Sequence, residues 1–580
     1  MLKLRRFLKG YTKEVIIGPL CKLFEAILEL LVPLVMANII DVGINEMHSV
    51  NYVLRMGGVL VLLAATGLTS ALFCQYFASK ASQGAGTAIR RALFRHINSL
   101  SHAELDRFGT PSLITRMTND TNQVQQSIAM CIRLLTRAPF IIIGSLIMAV
   151  SINAQLAWIF FGAAVLIALT LYFVMNRSVP LYAAVQKKLD KIGLISRENL
   201  SGNRVIRAFS KQNTEKERID AATEDLTRTS ARVSMLSALL SPVTYLVTDC
   251  AIIAIVWFGA VNVNAGGMKT GDIVALVSYM TQILLAMVVV ANLVILMTKS
   301  GASAKRINEV FETVPSVREE YYDYMPLHPS EDTPKIEFKN VSFNYSSNGD
   351  DELSGISFTV KRGQTVGIIG GTGSGKSTLI SLIPRFYDAN EGEVLVDGYN
   401  VRRYCFRQLR RQFGIVPQQS VLFSGTIRDN MKWRNPEASD GEINRALEIA
   451  QAAEFVNKLP RRLDSRVEQG GKNFSGGQRQ RLCIARAIVS QPEILILDDS
   501  FSALDFATDA ALRKALADNA KDTTVLIVTQ RCSTIKNADL ILVLSDGKLA
   551  GQGTHSELFE NCEVYRDICL SQLSETEVAK

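Results

Sequence analysis

Between His328 and His555 the 580-residue chain has no histidine, and the whole chain has five: His48, His96, His102, His328 and His555. An imidazole acting as base, proton shuttle or metal ligand is therefore excluded from that interval. Nine cysteines are scattered without a CxxC pair or metal-ligand spacing. This excludes a zinc ribbon or a thioredoxin-type centre and reads as free, reduced thiols in a cytosol-facing protein. Cys21, Cys74, Cys131 and Cys250 lie in apolar segments. No basic stripe lies near stacking aromatics, so no nucleic acid is expected as partner. Low-complexity tracts and internal repeats are missing too. The basic start MLKLRRFLKGY is followed by no small-residue cleavage site. It is expected to lie as a helix on the cytoplasmic membrane surface rather than to act as a cleavable signal.

What is present points to a mixed molecule. Hydrophobic residues make up 48% and charged residues 20%, and the mean hydropathy is +0.16. That is too apolar for a purely soluble enzyme and too charged for a wholly membrane-buried chain. The length calls for two or more domains. The net charge of +8 fits the basic bias of cytoplasmic loops in a membrane protein.

Six segments are apolar enough to span a bilayer, which needs about 20 such residues in a helix. Met56–Ser79 and Ile273–Thr298 contain no charge, and Leu156–Met175 is another clean run. Ala138–Ile152 is shorter and extends back through Arg133 and Arg137, while Ile16–Ile40 and Val233–Ala265 carry a few embedded charges. The connections Asn45–Val53 and Asn153–Gln155 are short and lack Lys and Arg, and Asn262–Gly271 has only Lys269. Lys80–Ser127 and Arg177–Arg232 are long and basic. The positive-inside rule puts these two, and both chain ends, in the cytoplasm. Their helical patterning predicts membrane helices that continue well beyond the bilayer.

After Ser300 the character changes. Glu319–Pro334, with Pro326, Pro329 and Pro334, reads as a linker. Short β-branched runs then alternate with helical patterns: IEFKNVSF, QTVGIIG, GEVLVDG, EILILDD, TTVLIVTQ and LILVLSDG. This predicts an α/β domain with a largely parallel sheet. The expected division is a transmembrane domain over residues 1–325 and a nucleotide-binding domain over 335–580.

Three motifs carry chemistry in that second domain. GGTGSGKS, Gly370–Ser377, follows a strand and opens a helix, the context in which a glycine-rich turn cradles phosphates with its backbone N–H groups. Gly370, Gly371, Thr372, Gly373, Ser374, Gly375, Lys376, Ser377 and Thr378 are the candidate ATP-binding residues. Lys376 would face the β/γ-phosphates, and the Ser377 hydroxyl would ligate Mg²⁺. ILILDDS, Ile494–Ser500, ends a strand at Asp498, a second candidate Mg²⁺ holder. Between them FSGGQ, Phe474–Gln478, places a small turn before a helix.

With these motifs in this order, the chain resembles the ATP-binding cassette (ABC) transporters, and more closely an exporter-type half-transporter of the bacterial heterodimeric, multidrug-type class. FSGGQ is that family's signature motif. The resemblance implies that Tyr345 stacks on adenine and that Gln418 touches Mg²⁺ and senses the membrane domain. It also implies that Ser502–Asp505 form the D-loop, and that Asn199–Gln212 leads into a helix docking on a nucleotide-binding domain. In the family the residue after the magnesium Asp is a glutamate that polarises water, and a later histidine contacts the γ-phosphate. Here Asp499 and Gln530 stand in those places. The resemblance also implies head-to-tail cassettes, with each ATP between one chain's Gly-rich loop and the other's signature motif. Ser475 and Gly477 would then complete a partner's site. This chain's own site would bind ATP but hydrolyse it poorly, which calls for a heterodimer with a second half-transporter.

The membrane half says little about substrate. Intramembrane ionisable residues are functional candidates: Asp249, Glu25, Glu29, Arg133 and Arg137, with Gln282 and Asn292 behind them. They pair with one another or line a partly polar cavity suited to small amphipathic compounds. The expected location is the bacterial cytoplasmic membrane, multi-pass, with the nucleotide-binding domain in the cytoplasm. A nucleotide-gated regulator or channel-like protein without net pumping is the alternative.

Overall fold

The structure is a computed structural model that describes residues 2–320, 329–330, 332–345, 351–519 and 522–572. The chain divides into two compact units, Met1–Asn98 with Thr110–Thr313, and Ser99–Gly109 with Val314–Lys580. Most of the expected linker Glu319–Pro334, residues 321–328 and 331, lies outside the described residues.

The first unit is all-helical. Six helical rods are long and apolar enough to cross a membrane: Lys3–Glu46, Val50–Ile97, Thr110–Ile152, Ala154–Ser201, Gln212–Asn264 and Thr270–Glu312. Each far exceeds the roughly 20 residues a bilayer core requires, so helix continues past the membrane on the side of the long connections. The basic start forms a 3₁₀ helix, Leu2–Tyr11, that opens the first rod and runs directly into the α-helix Thr12–Asn38. Large apolar side chains such as Trp158, Tyr172 and Trp257 point outward, each at least 70% exposed, as lipid-facing residues do. Small residues, among them Ala26, Ala149 and Ala275, are fully buried where rods meet, which lets backbones approach.

Several charged and polar side chains inside this unit find partners, while the buried Ser178 and Ser300 hydroxyls make no hydrogen bond among the described residues. Arg137 donates to Glu29 at 2.6 Å and Lys22 to Glu25 at 2.7 Å. The Tyr279 hydroxyl donates to the Leu30 carbonyl at 2.7 Å. Asp249 differs: it sits on the exposed stripe of the Leu240–Asn264 helix and has no partner among the described residues. The expected mutual pairing holds for Glu29 with Arg137, whereas Glu25 takes Lys22 and Asp249 takes none of the arginines. The segment around Asn203–Ala208 folds as a short helix between two long ones, with Val205 and Phe209 exposed.

The second unit is α/β. Its strands are β1 (Ile336–Phe343), β2 (Leu353–Val360), β3 (Thr365–Gly370), β4 (Glu391–Val396), β5 (Tyr399–Asn400), β6 (Phe413–Val416), β7 (Gly425–Thr426), β8 (Arg466–Val467), β9 (Ile494–Asp498), β10 (Thr524–Val528), β11 (Leu540–Ser545) and β12 (Lys548–Gly553). One sheet has the order β12-β11-β3-β10-β9-β6, parallel except for the β11–β12 hairpin. Its strands are apolar at successive positions because both faces are covered: Ile368 joins the core on one face and Ile369 the core on the other. A second sheet, β2-β1-β4-β5, is antiparallel. The largely parallel sheet that the strand pattern predicts is the first of these, and the antiparallel sheet is additional to it. IEFKNVSF and GEVLVDG are β1 and β4 of the antiparallel sheet, and β2 falls outside the predicted strands. Alternating exposure along β2 is the mark of a strand with one wet face.

A buried ion cluster joins the two sheets. Lys335 Nζ, just before β1, reaches Asp397 at 2.9 Å, Gln412 at 3.0 Å and Glu493 at 2.5 Å, and Arg362 pairs with Asp397 as well. A buried ammonium requires this full set of partners. The short helix His102–Phe108 belongs to this unit. Ser316 and Val317 backbone N–H groups donate to Glu104 (3.1 Å) and Ser101 (3.0 Å), and Tyr387 donates to Asp106 at 3.0 Å.

Candidate nucleotide site

The parallel sheet gathers the expected residues along one edge. Register aligns Ile368 of β3 and Asp498 of β9 on either side of Val528 in β10. The Gly-rich turn after β3, the aspartates after β9, Gln530 after β10 and Gln418 after β6 therefore all leave the sheet at its carboxyl end, where ligands bind in open α/β sheets.

The turn is shaped by glycine at two places. Gly375 has φ +90, and a Cβ there would sit 2.8 Å from the Glu352 carbonyl oxygen. At Gly370 a Cβ would lie 2.2 Å from the Leu544 carbonyl oxygen. Neither position admits a side chain. The Lys376–Leu382 helix begins immediately after Gly375. Lys376 Nζ donates back to the Gly370 and Gly371 carbonyls at 2.9 and 2.5 Å and to Ser374 Oγ at 3.2 Å. Burial holds its ammonium below the ordinary lysine range, against the opposing pull of Asp498 and Asp499.

The oxygen donors for a divalent ion are adjacent. Ser377 Oγ donates to Asp498 Oδ1 at 3.2 Å. Burial, with Asp499 beside it, raises the Asp498 carboxyl, and the Ser377 hydrogen bond and Lys376 oppose this. A hydroxyl and a carboxylate in contact are the hard-oxygen set that Mg²⁺ takes, so these two residues fit the ion. Gln418 is exposed, two residues past β6. Tyr345 is 51% exposed, and its hydroxyl lies 3.0 Å from Thr378 Oγ1. Its ring meets Tyr387 edge-on at 5.2 Å.

Asp499 is held by its backbone, not its side chain. It sits at φ +46, a conformation Asp tolerates better than most residues. Its N–H donates to Val528 O at 3.0 Å, and its carbonyl accepts from Gln480 Nε2 at 3.1 Å and Ser502 Oγ at 2.9 Å. The carboxylate has no hydrogen-bond partner among the described residues. Gln530 is exposed, and its carbonyl accepts from Gln572 Nε2 at 2.6 Å.

Ser475 and Gly477 lie elsewhere. Ser475 caps the Gly476–Ile488 helix in a reciprocal capping box with Gln478. A Cβ on Gly477 would come 3.0 Å from the Ala503 carbonyl. No hydrogen bond of Ser475 reaches Gly370–Thr378 among the described residues. The chain thus brings together the Gly-rich turn, Asp498, Asp499 and the strand edge, and its signature turn makes no hydrogen bond to the Gly-rich turn, although the helix it opens reaches the Asp499 carbonyl through Gln480.

Two residues of this region escape a reading of the motifs. Gln480 is buried, only 3% exposed, and its side chain ties the signature helix to both the Asp499 carbonyl and the Ala503 N–H. Its signal is a polar residue on the helix face that carries Leu482 and Cys483 inward. Gln572, just past the distant Glu563–Leu570 helix, brackets the Gln530 segment, and no local pattern announces that.

Residues 15–287 match the family described as ABC transporter transmembrane region, and residues 353–502 the family described as ABC transporter. The chain is 37% identical over 572 residues to the uncharacterized ABC transporter ATP-binding protein YfiB of Bacillus subtilis, covering 99% of this chain and 98% of that protein. It is 30% identical over 488 residues to an ATP-dependent lipid A-core flippase of Vibrio vulnificus, covering 84% and 83%. Its fold is similar to that of a bacterial Atm1-family ABC exporter solved with ATP bound, with a TM-score of 0.79 over 99% of each chain and 24% identity.

Proposed function

The chain belongs to the ABC transporters, as an exporter half-transporter with six membrane helices and a cytoplasmic ATP-binding domain, and from that membership we propose that it is the hydrolysis-impaired subunit of a heterodimeric exporter. The observation that carries this reading is the pair Asp499 and Gln530, at the ends of the adjacent strands β9 and β10. The sequence-based domain bounds proposed for it are residues 1–325 and 335–580, whereas the compact units change over at Thr313 and Val314 and the second takes in Ser99–Gly109.

The phosphate-binding parts are complete. The Gly370–Gly375 turn wraps the phosphates, Lys376 offsets β/γ charge, and Tyr345 supplies an aromatic face for adenine. Ser377, Asp498 and Gln418 would hold Mg²⁺, which supplies Lewis-acid neutralisation of the phosphate oxygens. The hydrolytic parts are not complete. Asp499 is one methylene shorter than the family's glutamate, and a misplacement of about 1 Å costs on the order of 100-fold in rate. Gln530 donates a hydrogen bond but carries no charge.

A partner half-transporter would bring its own Gly-rich turn to this chain's Ser475 and Gly477, making the competent site. ATP binding would then close the cassettes and turn the membrane cavity outward, and hydrolysis in the partner's site would reset it. Polar pairs within the membrane rods favour small amphipathic cargo, and a relative whose name is lipid A-core flippase is in keeping with that class.

The test is to purify this chain alone and with its partner. Alone, it should bind ATP yet turn over far below about 1 s⁻¹, the low end of ordinary enzyme rates. With the partner, ATPase and ATP-dependent accumulation of an amphipathic dye in inverted vesicles should appear together. Turnover at ordinary rates by the chain alone overturns the reading. Nucleotide binding without accumulation in the heterodimer would favour a gated regulator instead.

A further inference from the structure

The Gln530 segment is gripped by a helix far along the chain. Gln572, just past the Glu563–Leu570 helix, accepts from the Cys532 N–H at 3.0 Å and donates to the Gln530 carbonyl at 2.6 Å. Beside this bracket, Cys569 Sγ and Cys532 Sγ lie 2.9 Å apart, and both residues are fully buried. Among the described residues no other two cysteines have sulfurs in contact. Cys569 packs next to Tyr565, whose hydroxyl lies 2.8 Å from His555 Nδ1.

The two thiols are unequal. The Cys532 S–H beside it holds Cys569 below the ordinary thiol range, and Cys532 is pushed up in turn. A thiolate stabilised by a neighbouring thiol is the arrangement in which one sulfur attacks and the other resolves.

We propose that Cys532 and Cys569 are a reversible disulfide site that locks the Gln530 segment to the Glu563–Leu570 helix. In a reducing cytosol both are thiols. Under oxidation, a small disulfide reaches them when that helix opens locally. The Cys569 thiolate attacks one sulfur of the small disulfide, its S–S bond breaks, and the leaving thiolate takes a proton. Cys532 then loses its proton and attacks the Cys569 sulfur of the mixed disulfide, releasing the second small thiol. Two protein thiols are oxidised and one small disulfide is reduced to two thiols. The new bond adds a covalent tie to the two Gln572 hydrogen bonds. The disulfide site stands on the structure alone; its bearing on nucleotide rests on the proposed role of Gln530.

The experiment uses the full-length chain in nanodiscs, treated with 4,4′-dipyridyl disulfide, alkylated and digested without reductant. Mass spectrometry should find a Cys532–Cys569 crosslinked peptide that dithiothreitol reverses. It should be absent in Cys569→Ser and in Cys532→Ala, and retained in Cys405→Ser. Hydrogen exchange over residues 529–535 should slow about tenfold in the oxidised form, as expected when local opening is blocked. Recovery of both cysteines alkylated, or only as separate mixed disulfides, overturns the proposal, as does a crosslink that leaves exchange unchanged. A crosslink with slowed exchange but unchanged ATP release supports the disulfide site and counts against the γ-phosphate role of Gln530.

Discussion

Two stretches of the same sheet edge differ in how their side chains are held. Around β3 and β9, Lys376, Ser374, Ser377 and Asp498 are locked by mutual hydrogen bonds, and the turn admits only glycine at 370 and 375. One residue further, Asp499 is fixed by its main chain while its carboxylate hangs free, and Gln530 is exposed. Binding a phosphate needs a preformed cradle, and the first region is one. Positioning a water for attack needs a side chain of defined reach, which on the proposed reading the second region, with Asp499 and Gln530, does not supply. If the proposed reading holds, the two tasks separate between neighbouring residues of one sheet edge, Asp498 and Asp499, and one is kept while the other is lost.

The largest effect should come from outside both regions. In the proposed heterodimer, Ser475→Arg should lower steady-state ATPase by more than about 100-fold, because it would fill the turn that, on that reading, completes the partner's site, whereas loss of the cap costs this chain only about 1 kcal/mol. A thermal melt separates the two, since the fold should survive. Unchanged ATPase would mean that the signature turn serves no partner.

Next is repair of the weaker region. With the partner's catalytic carboxylate removed, Asp499→Glu together with Gln530→His should raise ATPase at this chain's site by about 100-fold, a share of the roughly 10²–10⁴ that a general base contributes. Either change alone should recover far less, since groups acting as a unit are non-additive. If Asp499→Glu alone matched the double, one methylene would account for the whole difference.

Damage to the stronger region should read out as binding instead. Lys376→Ala should weaken ATP binding to the isolated chain by about 10- to 100-fold, as expected for a charge-assisted contact. It should leave measurable turnover in the heterodimer. Calorimetry on the isolated chain and ATPase on the heterodimer check the two halves of that statement.

The smallest effect tests the adenine face. Tyr345→Phe keeps the ring and loses only the hydroxyl at Thr378, so ATP affinity should change less than about threefold. Tyr345→Ala should lose about tenfold, the upper range of an aromatic stacking contact. Equal losses would assign the role to the hydroxyl rather than the ring.

Much of this molecule is legible in residue order alone. The six apolar runs, the alternation of basic and non-basic connections, and GGTGSGKS between a strand and a helix are local signals with local causes. The antiparallel sheet is not legible as such, because β1 and β4 read as apolar runs no different from those of the parallel sheet. Their partners are set by long-range pairing. Gln480 and Gln572 escape notice for the same reason: such a glutamine declares itself only when its partners, Asp499 and Ala503 in one case and Gln530 and Cys532 in the other, are brought to it.

The sequence by itself determined that the chain is membrane-spanning and carries an ATP-binding domain, and that Asp499 and Gln530 follow the apolar strands that end in Asp498 and Val528. These follow from residue type, hydrophobic run length and spacing, which tertiary contacts do not alter. Only the tertiary structure decided that Asp498 touches Ser377, that the Asp499 carboxylate is left unheld while its backbone is tied to Gln480, and that Cys569 meets Cys532. Those juxtapositions join residues tens of positions or more apart in most cases. The first exists because a parallel sheet buried on both faces aligns its strand ends, and the other two because helices Gly476–Ile488 and Glu563–Leu570 pack against the segments that follow those strands.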